Sequence, residues 1–121
     1  MHSRPVVTPQ KVSKEALTVS DWQALDTLVR ALRRLYAERL KQMILYGHKS
    51  RGKRGSDLDV LVVIEGISDR FVEMSRIHQI TSPITVEEDI LITAIPVDAT
   101  YLESQRETSF FAAILQEGIK L

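Results

Sequence analysis

The chain has 121 residues, 44% apolar and 26% charged, which makes one domain with enough core to need no staple. It has no cysteine, which excludes disulfides, thiolate zinc sites and cysteine nucleophiles and fits a reducing, cytoplasmic setting. Its 16 basic and 16 acidic residues cancel, which argues against nucleic-acid binding by phosphate neutralisation, and no apolar run is long enough to span a membrane.

Residues 1–14 show no periodicity and hold two prolines, so they read as a flexible leader to a domain over 15–121. Ser20 or Asp21 can cap a helix over about 21–41, with Trp22, Leu25, Leu28, Val29, Leu32, Leu35, Tyr36 and Leu40 as its apolar stripe. Trp22 is expected as a core anchor. Met43 to Tyr46 forms a short strand stopped by Gly47, and residues 48–56 form a loop. Leu58 to Ile64 is apolar on both faces beyond Asp59, as a buried central strand should be, and Gly66 breaks it.

A second helix, capped by Ser68 or Asp69 and carrying Phe71, Val72, Ile77 and Ile80, is expected to end near Pro83. A third strand centres on residues 90–95, with Pro96 marking its end or an edge position. A last helix from Thr100 to about Glu117 turns Phe110, Phe111, Ile114 and Leu115 inward and stops at Gly118. The expected fold class is α/β (α+β), a small mixed sheet of three or four strands with helices packed mainly on one face. The glycine loop joins two strands rather than a strand and a long helix, so neither a Rossmann nor a P-loop unit fits.

Asp57 and Asp59 start the central strand, and period-two alternation puts them on one face. Two adjacent carboxylates repel, a cost that a divalent cation between them removes. The segment before them carries Gly47, Ser50, Arg51, Lys53 and Arg54, with backbone N–H groups and cations suited to a phosphate chain. Metal-binding acids beside a phosphate cradle point to nucleotide chemistry. Tyr46 is read as a core-edge aromatic, or as a platform under a nucleotide base. His2 and His78 have no second ligand at metal spacing and are read as structural or solvated.

Residues Leu45 to Gly52 followed by Ser56-Asp57-Leu58-Asp59 and an apolar run resemble the signature of the minimal nucleotidyltransferases, the smallest members of the DNA polymerase β-like superfamily. The close of the chain, Phe110 to Ile119, is similar to that family's last helix. The resemblance implies the polymerase β palm-like fold and a transfer of a nucleoside monophosphate, AMP from ATP, to a hydroxyl of a protein or small molecule. It places two Mg²⁺ ions on Asp57 and Asp59, with Gly47 and His48 cradling the triphosphate. Ser50, Arg51 and Lys53 are further phosphate ligands by composition and position, and Ser56 shapes the turn into the strand.

Three departures qualify it. His48 stands where the family has serine, and histidine donates from both nitrogens only when protonated. Only eight residues separate His48 from Asp57, a shorter stretch than the family's. The family's third carboxylate falls by pattern near Thr93, which cannot ionise; Asp89 shares its parity and is the candidate third metal ligand, although it lies roughly 13 Å earlier along an extended chain. The alternative is therefore a catalytically impaired binding module, such as an antitoxin-type partner of a HEPN-like toxin, a partner class that the resemblance implies. A homo-oligomer is compatible with either reading.

Overall fold

A computed structural model describes residues 11–52 and 55–121; the expected leader over 1–14 lies largely outside them, as do His2, Lys53 and Arg54. A single 3₁₀ turn at Lys14–Ala16 leads to helix α1, Val19–Tyr36. Its cap is Thr18, not the expected Ser20 or Asp21. Thr18 Oγ1 accepts from the Asp21 N–H at 3.0 Å while Asp21 Oδ2 accepts from the Thr18 N–H at 2.9 Å, a reciprocal capping box. Ala24, Leu25, Leu28, Leu32 and Tyr36 recur at helical spacing and are buried. Trp22 is 38% exposed and Leu35 also faces outward, so the stripe that enters the core is narrower than the apolar pattern suggests.

After a second 3₁₀ turn at Ala37–Arg39 the chain forms a long antiparallel hairpin, β1 (Leu40–Ser50) and β2 (Ser56–Ile64). The expected loop over 48–56 is thus mostly strand, and Gly47 lies inside β1 rather than ending it. Pairing runs from Leu45 opposite Val60 to Gly47 opposite Asp59, which leaves Tyr46 as an extra residue in a β-bulge. The bulge reverses the parity of β1. Met43 and Leu45 face the α1 side before it, and His48 and Ser50 face that side after it.

From β2 the chain crosses through α2, Arg70–Glu88, to β3, Leu91–Asp98, which lies parallel to β2. Asp69 caps α2, accepting from the N–H groups of Phe71 at 3.0 Å and Val72 at 3.4 Å. Pro83 was the expected stop but sits within the helix, which runs on to Glu88. Phe71 and Val72 are exposed; Ile77 and Ile84 carry the buried contact. Glu73 is buried too, accepting from the Tyr36 hydroxyl at 3.1 Å and paired with Arg76 at 3.2 Å and Arg39 at 3.6 Å.

The sheet order is β3-β2-β1-β4, mixed in direction, with β3 at an edge where Pro96 is tolerated. The expected last helix is two: α3 (Ala99–Gln105) and α4 (Ser109–Glu117), separated by a turn in which the Thr108 N–H donates to the Gln105 carbonyl at 3.0 Å. Gly118 ends α4, and the short β4 (Ile119–Lys120) pairs with Ile44 and Leu45. The two long helices cover one face, burying Leu45, Leu58, Val60, Val62 and Ile64. The short pair covers part of the other, where Leu102 and Ile114 pack on Ile44, Leu61, Val63 and Val97. Toward the hairpin tip that second face is uncovered: Lys49 and Thr93 are exposed and Leu91 is 48% exposed. No helix among the described residues is long and apolar enough to cross a membrane.

Candidate functional site

The uncovered half-face carries Asp57 and Asp59, side by side at the start of β2 as alternation requires. Leu61 and Val63 follow on the same face and pack under α3 and α4, so the pair stands at the margin of that core. Burial first, then the charge of Asp57, pushes the Asp59 carboxyl up from the usual carboxylate range. Gly47 is directly opposite Asp59, and a Cβ there would collide with the Asp59 carboxylate. The glycine is therefore a steric requirement of that carboxylate's position. On the other side of β2, parallel register sets Thr93 beside Asp59 and Leu91 beside Asp57. Thr93 is where the pattern placed it, and no acid shares that position.

The hairpin tip closes with two left-handed glycines, Gly52 (φ +67°) and Gly55 (φ +87°), and the Arg51 N–H donates to the Gly55 carbonyl at 2.8 Å. This folds Arg51 back over the site. Its Nε lies 3.2 Å from Asp57 Oδ1, and its Nη2 donates to the Asp89 carbonyl at 2.8 Å and stands 3.8 Å from the Asp89 carboxylate. The Nε and Oδ1 atoms are buried and close, yet form no hydrogen bond of good geometry. Asp57 Oδ1 is thus an acceptor partly stripped of water. Asp89 is the left-handed cap of α2 (φ 53°) rather than part of β3, and its side chain is largely exposed. Among the described residues no three His, Cys, Asp or Glu side chains are grouped to hold a metal.

The remaining candidates separate. His48 is turned by the bulge to the α1 side, where its Nε2 lies 3.2 Å from Asp21 Oδ2 and both side chains are buried. The Ser56 hydroxyl donates to the same Asp21 oxygen at 3.4 Å, while Asp21 Oδ1 has no hydrogen-bond partner. The His48 imidazole therefore does not share the face of Asp57 and Asp59. Ser50 is on the α1 side as well, its hydroxyl accepting from the Gly52 N–H at 3.2 Å within the tip. Lys49 faces outward beside Asp57, and Lys53 lies outside the described residues. Asp21 also went unrecognised beyond its capping role. The bulge that brings His48 to it leaves no mark in the local composition.

Tyr46 lies on the site's face. Burial first, then Asp59, pushes its phenol up to about 12, and its ring meets Phe110 edge to face at 6.0 Å. Phe110 is only partly covered, in contrast to the inward position expected for it.

No family model matches the chain, and no solved structure does. The chain is 26% identical over 102 residues, 83% of its own length and 96% of the relative's, to a protein of Methanocaldococcus jannaschii named "putative protein adenylyltransferase". That likeness points to a nucleotidyltransferase-like family.

Proposed function

We propose that the chain transfers a nucleoside monophosphate, AMP from ATP, to a hydroxyl group. The observation that carries this reading is the pair Asp57 and Asp59, on one sheet face, opposite a glycine that has no room for a side chain and beside a basic hairpin tip. The relative's name, which specifies protein adenylyl transfer, supports a protein acceptor.

The residues fit a divalent cation. Asp57 Oδ1 is buried without a well-directed hydrogen bond, and Asp59 resists ionisation because of burial and its neighbour's charge. Two carboxylates in that state, with phosphate oxygens and water completing the shell, suit Mg²⁺. When bound, Mg²⁺ would neutralise charge on the departing pyrophosphate and polarise the α-phosphate. The protein's own part is positioning. Asp57 and Asp59 hold the α-phosphate end, the absent side chain of Gly47 lets polyphosphate approach the backbone, and Lys49 and Arg51 face its outer charges. Ser50 and Ser56 shape the hairpin from its α1 side, and Lys53 is a further phosphate ligand by composition alone. The acceptor hydroxyl oxygen bonds to the α-phosphorus, its proton passing to solvent, as the bond to pyrophosphate breaks.

A second reading is favoured by Thr93 beside Asp59 and by the Arg51 contact on Asp57: a module that binds nucleotide without turnover and acts as an antitoxin-type partner of a HEPN-like protein. Incubation with ATP labelled at the α-phosphate, Mg²⁺ and cell lysate separates the two. The transferase reading expects a labelled acceptor. ATP affinity by calorimetry with no label under any condition leaves the binding module.

A further inference from the structure

Three chemistries succeed one another along the uncovered face of the β1–β2 hairpin. Outermost is the basic tip, with Lys49 in register with Asp57 and Arg51 folded back on it. The carboxylates follow, with Thr93 alongside. Two residues further, about 7 Å along the strands, the same face passes to Leu61 and Ile95. These form a wall of a cavity of about 520 Å³ that Tyr101, Phe110 and Phe111 also line.

The rings are held edge to face, Phe110 on Phe111 at 5.4 Å and Tyr101 on Phe111 at 6.2 Å, so their positions are fixed by one another. Phe110 also meets Tyr46, which ties the cavity to the neighbourhood of Asp59. Yet Phe110 remains 40% and Tyr101 54% exposed. Ser68, Arg70 and Asp98 supply its polar side; the Asp98 carboxylate is engaged by the N–H groups of Gly66, Ile67, Thr100 and Tyr101, and the rest of the wall is apolar and aromatic.

A nucleoside triphosphate has the same order: an anionic chain, an α-phosphate, a sugar and a flat aromatic base. Resting on the transferase reading, we infer that this cavity is the nucleoside subsite. The base packs on Leu61 and Ile95 beside Phe110 and Tyr101, and the sugar spans the step from Asp59 to Leu61. The base is gripped through its faces, as aromatic platforms grip bases in single strands.

Methyl-resolved NMR of the full chain, titrated separately with adenosine and with tripolyphosphate plus Mg²⁺, tests this. Adenosine should move the methyl signals of Leu61, Ile95 and Val97, while tripolyphosphate should not. Phe110→Ala and Tyr101→Ala, at partly exposed positions, should each weaken adenosine and ATP by about tenfold and leave tripolyphosphate unchanged. Adenosine shifts without any transferase activity would sustain the subsite and remove the enzyme reading. ATP binding lost in Asp57→Asn with Asp59→Asn but silent at the cavity methyls would overturn the subsite alone. A protein segment covering the rings, with adenosine silent, would also overturn it.

Discussion

Gly47 shows how one missing side chain can define a site. A Cβ built there falls on the Asp59 carboxylate, so Gly47→Ala must displace that carboxylate or the strand that bears it. Displacements near 1 Å cost on the order of 100-fold in rate, so label transfer should fall by about that factor while circular dichroism stays native. Tyr36 governs a different property. Burial first, then its hydrogen bond to Glu73, pushes its phenol up to about 12. Because the folded value lies above the unfolded one, the stability it contributes is complete below pH 10 and is lost as pH rises toward 12. Denaturant melts of Tyr36→Phe should therefore show a shallower alkaline decline than the parent. At neutral pH the variant should be less stable by about 1–3 kcal/mol, since Glu73 stays buried with one partner fewer.

At the scale of elements, Asp98 joins three of them. It ends β3, caps α3 through Thr100 and Tyr101, and holds the turn after β2 through Gly66 and Ile67. Those N–H groups, that of Ile67 foremost, hold its carboxyl below the usual range. Its stabilising contribution is present above the ordinary carboxylate value and lost as pH falls through the lowered one. Asp98→Ala should lower the melting temperature at pH 7, with the gap from the parent narrowing under strong acid.

The elements also show what the sequence could reveal. The period-two pattern of β2 put both aspartates on one face, because one unbroken strand preserves parity; Thr93 was placed by the family resemblance, and parallel register sets it beside Asp59. His48 was read, through the family resemblance, as part of the triphosphate cradle. An extra residue at Tyr46 reverses β1 and sends the imidazole to Asp21, and no local residue preference announces that bulge. Pro83 misled in the opposite direction, since packing of Ile77 and Ile84 carries α2 past the missing N–H. The division of the last helix rests on a three-residue turn that an apolar periodicity does not resolve.

At the scale of the whole molecule, one sheet is unequally covered. Long helices seal one face; short ones seal only the far half of the other and leave aspartates, cations and aromatic rings in a row. On the proposed reading the uncovered half is the active site, and its two carboxylates, borne on one hydrogen-bonded hairpin, have the defined relative placement that phosphoryl transfer needs. The direct measurement is parallel transfer from ATP labelled at the α- or the γ-phosphate, with Mg²⁺, by the parent chain and by Asp57→Asn with Asp59→Asn. α-Label should reach the acceptor, γ-label should leave only as pyrophosphate, and the double variant should transfer neither. Label arriving from the γ-phosphate, or α-transfer that persists without the two carboxylates, would overturn the proposed transfer.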